Sequence, residues 1–261
     1  MSSCPAIIDT HCHLDFSVFD PDREAVIERA RDAGVQSLVV PSVTVDNFRK
    51  VLDLCASRPD LYPALGLHPC FTHRLPEDLE RLKQALAGAD DQVVAVGEIG
   101  LDLRPGQAAL EVQMELLVAQ LELARERELP VLLHVVKAHD QVLKCLRRLR
   151  LPRAGIVHAF SGSEQQAREY LKLGFRLGFG GALTYDRAHR LRRLATVLPL
   201  ESLVLETDAP DMPPCGHEGQ RNEPAASAQV ARLLAELRGI PLTEVAQITS
   251  ATARDMLALY R

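Results

Sequence analysis

Eight times along this chain a short run of β-branched and apolar residues gives way to a longer stretch whose apolar residues recur three and four positions apart. The short runs lie at Ala6–Asp9, Gln36–Val40, Tyr62–Leu67, Val93–Glu98, Val131–His134, Gly155–His158, Arg176–Phe179 and Ser202–Glu206. Helical patterns follow at Pro21–Ala33, Val45–Ala56, Pro76–Ala87, Gln107–Arg127, His139–Leu149, Glu164–Lys172 and Ala188–Val197, and then at Ala225–Arg238 and Leu242–Tyr260. Glycines after helices (Gly34, Gly88, Gly174) and prolines at helix starts (Pro21, Pro76) punctuate the series. Strict alternation implies parallel strands, because a helix must carry the chain back between them. Eight units in 261 residues match a (β/α)8 TIM barrel with an extra C-terminal helix. A doubly wound open sheet is the alternative.

Composition narrows the class. With 47% hydrophobic and 25% charged residues the chain carries enough apolar material for a large core, which excludes disorder. We find no linker, repeat or composition break, so one domain over residues 1–261 is expected. The apolar stretch around Val131–Val136 is far short of the roughly 18 residues that a membrane span requires. Met1–Pro5 lacks the basic and apolar regions of a secretion signal. Six cysteines are scattered without a C-x-x-C pair, which suits reduced thiols in the cytoplasm. A net charge of −5 excludes a globally basic nucleic-acid binder but leaves room for a local basic groove beside a metal centre.

The polar residues at the strand ends carry the chemistry. The first strand runs into Ile8-Asp9-Thr10-His11-Cys12-His13, and alternation along an extended backbone presents His11 and His13 to one side. With nine histidines, one H-x-H pair arises by chance in roughly one such sequence in four, so the pair alone is weak. His68 follows the third strand, Glu98 ends the fourth, His134 the fifth and His158 the sixth, and Asp208 follows the eighth. In a barrel these seven side chains reach the C-terminal mouth, where such folds carry active sites. His11, His13 and Asp208 can hold one divalent ion, His134 and His158 a second, and Glu98 has two oxygens with which to bridge. Nitrogen and oxygen ligands suit Zn, Mn, Mg, Co or Ni. No lysine stands where a carbamylated bridge would be expected, and Glu98 takes that place.

Six segments together resemble the TatD-type metal-dependent hydrolases, an amidohydrolase-like branch of the barrels known largely as deoxyribonucleases, and most closely its YjjV subgroup. They are Asp9-Thr10-His11-Cys12-His13-Leu14-Asp15, Gly66-Leu67-His68-Pro69, Val96-Gly97-Glu98-Ile99-Gly100-Leu101-Asp102, His158-Ala159-Phe160-Ser161-Gly162, Leu205-Glu206-Thr207-Asp208-Ala209-Pro210 and Arg221-Asn222-Glu223-Pro224. The resemblance implies that His11, His13, Glu98 and Asp208 bind one metal and Glu98, His134 and His158 the other. Glu206 and His68 would lie beside them, with a possible third ion. The implied reaction is hydrolysis of DNA phosphodiester bonds; the expected partner is DNA, bound as single strands or at ends, or a small phosphodiester substrate, and the expected state is a monomer. One departure stands out. The family usually reads His-Ser-Arg after the fifth strand, whereas this chain has His134-Val135-Val136-Lys137, so the guanidinium expected to meet a phosphate is absent at position 136.

Water held between two divalent ions loses a proton near neutral pH. By family analogy Asp208 would accept that proton, and His68, with Lys137, would stabilise charge developing on the substrate. Two basic segments, one from Lys144 to Arg153 and one from Arg187 to Arg193, read mainly as solvated helix faces. Arg187 is the member close enough to the mouth to bind substrate. Phe71, Phe160 and Tyr185 are expected on mouth loops where they could stack on bases, and Cys12, Cys70 and Cys215 nearby as bystanders. The competing readings are a deacylase or amidohydrolase using the same centre on an ester or amide, and a non-catalytic metal-binding scaffold.

Overall fold

The computed structural model describes residues 6–89 and 92–260, so the readings made on residues 1–5, Cys4 among them, fall outside the described residues. In chain order the elements are β1 (Ile7–Asp9), α1 (Arg23–Asp32), β2 (Val35–Pro41), α2 (Phe48–Ala56), β3 (Leu61–Leu65), α3 (Glu77–Gly88), β4 (Ala95–Asp102) and α4 (Leu110–Glu126). They continue with β5 (Val131–Val136), α5 (His139–Leu149), β6 (Gly155–Val157), α6 (Glu164–Lys172), β7 (Arg176–Phe179), α7 (His189–Val197), β8 (Leu203–Leu205), α8 (Ser227–Arg238) and α9 (Leu242–Leu257). The strand order of the eight-stranded sheet is the chain order, without the reversal that marks a doubly wound sheet. No helix among the described residues is long and apolar enough to cross a membrane.

The chain forms two compact units. One joins the stretch ending at Val40 to that beginning at Leu177; the other runs from Pro41 to Arg176. In the first, β1 pairs in parallel with β2, and β7 with β8. The last helix, α9, is tied to β1 by Ser250, whose hydroxyl accepts from the Ile8 amide and donates to the Ala6 carbonyl. Arg238 donates to the Ala195 and Leu198 carbonyls, fastening the end of α8 to the end of α7. Gly239 then terminates α8 in the left-handed conformation that glycine adopts without a steric penalty.

In the second unit β3, β4, β5 and β6 pair in parallel in that order. The sequence places the end of β4 at Glu98, but the strand continues to Asp102, pairing Gly100 with His134, Leu101 with Val135 and Asp102 with Val136. The glycines that look like breakers are positions of close approach. A Cβ on Gly100 would lie 1.8 Å from the His134 carbonyl oxygen, and one on Gly97 would lie 2.6 Å from the Leu132 Cβ. Likewise β5 runs on to Val136 rather than ending at His134. Strand β3 stops at Leu65 because Gly66 and Leu67 find other partners. Ser42 accepts from the Gly66 amide and donates to its carbonyl, while Gln120 does the same for Leu67.

Helix α4 is amphipathic with a difference. Leu117, Leu121 and Ala124 on its buried face are joined by two glutamines seven positions apart, Gln113 and Gln120, which are themselves buried. Each side-chain amide stands in for a peptide group. Gln120 pairs with Leu67, next to His68, and Gln113 accepts from the Asp102 amide at 2.7 Å and donates to its carbonyl at 2.8 Å. Replacing Gln120 with Met preserves volume but strands the Leu67 amide and carbonyl. Two buried unsatisfied groups should cost about 3 kcal/mol, read as a lower urea midpoint at unchanged slope; a midpoint equal to wild type would refute the assignment.

Candidate metal centre

The first unit contributes a ligand set built where β1 and β8 end. Buried Asp9 organises it. Its Oδ1 accepts from the His11 and Thr207 amides, both at 3.1 Å, and its Oδ2 from the Thr207 hydroxyl at 2.6 Å. The Asp208 amide donates to the His11 carbonyl and the His13 amide to the Ala209 carbonyl, so the two segments are stitched together. His11 Nε2 and His13 Nε2 consequently stand 3.8 and 3.6 Å from Asp208 Oδ1. His13 stacks on Phe16 with ring centroids 4.7 Å apart. Asp208 holds a φ of 58°, a left-handed backbone that Asp tolerates better than most residues. Asn222 pins the segment around it by donating to the Thr207 and Asp211 carbonyls, which gives the Arg221-Asn222-Glu223-Pro224 motif a local structural role. Burial pushes the Asp9 carboxyl up to about 7, against the opposing effect of its hydrogen bonds to Thr207 and His11.

Glu206 is buried with its carboxylate against β7. A Cβ on Gly178 would fall 2.0 Å from Glu206 Oε2, so the absence of a side chain there makes the space. Arg187 is exposed, with its guanidinium 5.1 Å from the centre of the Tyr185 ring. The Tyr185 hydroxyl is engaged in turn by the Pro213 carbonyl.

The second unit contributes the denser set. Glu98 is buried, placed by the irregularity between Val96 and Ile99 and held by its amide, which donates to the Ser42 carbonyl. Three imidazoles face the same oxygen. His134 Nδ1 lies 2.9 Å, His68 Nε2 3.3 Å and His158 Nε2 3.5 Å from Glu98 Oε1. Beyond His134 stands Asp102, which the sequence reading quotes within a motif but gives no role. Its Oδ2 is 2.9 Å from His134 Nε2 and 3.3 Å from Cys70 Sγ. Arg104 closes the far side through its backbone amide, Nε and Nη2 on the same carboxylate.

His134 meets a carboxylate at each ring nitrogen, Glu98 at Nδ1 and Asp102 at Nε2, both at 2.9 Å. With Asp102 holding the Nε2–H, Nδ1 would be the atom open to a cation, the carboxylate–histidine arrangement found behind metal ligands. The Cys70 amide donates to His68 Nδ1, so Nε2 of that ring carries the proton. Ligand atoms of Glu98, His134 and His158 lie within 4.8 Å of one another, as do those of His68, Cys70 and His134. A carboxylate and imidazoles gathered this way form a nitrogen–oxygen donor set that fits a divalent cation. Burial alone would lower the His134 pKa, but its hydrogen bonds to Asp102, Cys70 and Glu98 raise it well above the ordinary value.

One sequence expectation needs correction. Phe160 lies in the core of its unit, packed against His139 and Tyr170, and is not available for base stacking. Its large apolar ring is buried against His139 of α5 and Tyr170 of α6, which the sequence alone does not reveal. The Cys70 thiol lies 3.3 Å from Asp102 Oδ2, and its sulfur and ring nitrogens of His68 and His134 lie within 4.8 Å of one another. Lys137 follows β5 with a φ of 56° and an exposed side chain, whereas the cation fastened beside His134 is that of Arg104.

The raised His134 pKa has a sign that can be checked. In the metal-free protein its protonated form contributes stability that is complete below about 6.5 and is lost as pH rises through the folded value. Cation binding at Nδ1 must displace that proton, so affinity should weaken as pH falls and proton release should accompany binding. Calorimetry in buffers of different ionisation enthalpy reads this release, and its absence would contradict the ring assignment.

Comparison with known proteins is consistent with this donor chemistry. The family model described as TatD related DNase matches residues 8–258. The chain is 49% identical over 241 residues to the Escherichia coli K12 protein named as an uncharacterized metal-dependent hydrolase, YjjV, covering 92% of this chain and 93% of that one. The crystal structure of E. coli YjjV superposes with a TM-score of 0.94 at 46% identity over 98% of this chain and 99% of that one. A TatD family hydrolase from Entamoeba histolytica has the same fold, with a TM-score of 0.86 at 22% identity, covering 99% of this chain and 100% of that one. Eight alternating strand–helix units, a nitrogen–oxygen donor set and a family match over nearly the whole chain lead to one conclusion: the chain belongs to the TatD family of metal-dependent hydrolases, with the (β/α)8 barrel fold of that family.

Proposed function

We propose that the chain is a divalent-metal-dependent phosphodiesterase that cleaves DNA, acting on single strands or ends as a monomer. The observation that carries this reading is the convergence of His68, His134 and His158 on one oxygen of buried Glu98. The family model's description as a DNase supplies the substrate class. His11, His13, Glu98, His134, His158 and Asp208 are the ligands. Two divalent ions, when bound, would supply the Lewis acidity that brings the pKa of water toward neutrality. The five described cysteines form no disulfide with one another, and a cytoplasmic setting is part of the proposal.

The protein's own groups do the rest. The Asp208 carboxylate, presented by a constrained backbone beside His11 and His13, accepts the proton of the attacking water and returns it to the leaving oxygen. His68 has its Nε2–H fixed by the Cys70 amide and donates it to charge developing on the substrate. Its pKa is raised: burial opposes the charged form, but the Glu98 carboxylate beside it prevails. Glu206, buried in the unit that carries Asp208, is the second carboxyl group assigned a catalytic part there. Lys137 and Arg187, both exposed, can guide the phosphate backbone toward the centre.

The test is a panel of DNA, a phosphodiester analogue, and an ester and an amide, assayed with Mn, Mg, Co and Zn beside metal analysis. Wild type should cleave DNA and the analogue, while Glu98→Ala should lose bound metal and more than about a thousand-fold in turnover. Cleavage of the ester or amide with DNA intact under all four ions would replace the reading with that of a deacylase. A fully active Glu98→Ala protein would overturn the metal-dependent reading altogether.

A further inference from the structure

The mechanism leaves one strongly held group unused. Asp102 is buried, yet its carboxylate gathers Arg104 Nε and Nη2, Cys70 Sγ and His134 Nε2, while Gln113 fastens its backbone on both the donor and the acceptor side. Arg104 is therefore no solvated surface cation on a free stem. Its guanidinium is fixed through Nε and Nη2, its side chain is 52% exposed, and its Nη1 makes no hydrogen bond among the described residues. Arginines elsewhere in the unit behave differently: Arg49 pairs with Asp53, Arg147 with Glu169 and Arg168 with Glu164, each on an outer helix.

Position matters as much as restraint. The β4–β5 register sets Asp102 beside Val136, and the Leu103 amide donates to the Val136 carbonyl at 3.0 Å. Arg104 thus follows directly on the strand that flanks Val136, where this chain has an apolar side chain and no cation. The Asp102–Arg104 pair is neutral in sum but oriented, with the carboxylate buried and the guanidinium at the surface. An incoming anion meets the positive end first. A planar guanidinium already locked on one edge loses little freedom when it takes up a phosphate oxygen.

We propose that Arg104, held on Asp102, is a specificity-determining residue that binds the anionic group of the substrate beside the Glu98–His134–His158 set. Its assignment to a phosphodiester rests on the reading under Proposed function. Lys137 and Arg187 then serve longer-range attraction, and Arg104 makes the fixed contact.

Arg104→Ala and Arg104→Gln test this in the Mn-loaded full-length protein; the glutamine keeps a donor for Asp102 but removes the charge. Orthophosphate binding is measured by calorimetry, together with KM for bis(p-nitrophenyl) phosphate and for the neutral ester p-nitrophenyl acetate. Both variants should bind orthophosphate about ten-fold more weakly, as expected for one charged hydrogen bond. The ratio of phosphodiester to ester KM should rise by about the same factor. Orthophosphate affinity within two-fold of wild type in both variants would overturn the proposal. So would a loss confined to the alanine variant and accompanied by loss of bound Mn, since that pattern assigns Arg104 to holding Asp102. A wild-type protein that cleaves the ester and leaves the phosphodiester intact defeats the phosphodiesterase reading alone, because the orthophosphate titration still decides the role of Arg104.

Discussion

A single buried carboxylate oxygen governs the second unit. Glu98 Oε1 faces ring nitrogens of His68, His134 and His158 at 3.5 Å or less, in a place almost closed to water. Four polar groups brought so close in low dielectric would repel through their lone pairs unless a proton or cation lay among them. Much of the neighbouring architecture serves that crowding. Gly97 and Gly100 let β4 approach β5, Ser42 and Gln120 hold the loop that carries His68, and Asp102 fixes the His134 ring.

The supporting shell works through backbone mimicry more than through charge. Gln113 and Gln120 each close a two-bond pair with a peptide group, which completes a hydrogen-bond ladder where strand pairing has stopped. Neutral amides suit this task, since they satisfy a donor and an acceptor together and add no charge to a centre that already contains two carboxylates. The first unit reaches the same end with Asp9, which gathers the His11 and Thr207 amides and so joins the ends of β1 and β8 beneath Asp208. Each candidate ligand set is thus held by hydrogen bonds within the protein itself.

Arg104 shows how such a framework can be reused. The carboxylate that orients a metal-binding imidazole on one side restrains a guanidinium on the other, so ligand positioning and anion recognition share Asp102. On the proposed reading, an apolar Val136 is compatible with an anionic substrate because the guanidinium comes from the segment that follows the neighbouring strand.

What the sequence by itself determined was the alternation, and with it the fold. Periodicity of two and then three or four is a local property that each segment carries alone, and the candidate ligands His11, His13, Glu98, His134, His158 and Asp208 were legible because they lie within or just beyond the short runs that the same periodicity marks. The extent of β4 was not legible, since nothing local shows that the chain stays extended beyond Glu98 until the His134 carbonyl is seen against Gly100. Gln113 and Gln120 look like ordinary polar helix positions, and Phe160 like a loop aromatic, until burial is known. Asp102, Cys70 and Arg104 depend on contacts between segments up to 34 positions apart. Only tertiary structure decides such partnerships, because a side chain's role as support, ligand or anion contact is set by the groups across from it, and these are not its neighbours along the chain.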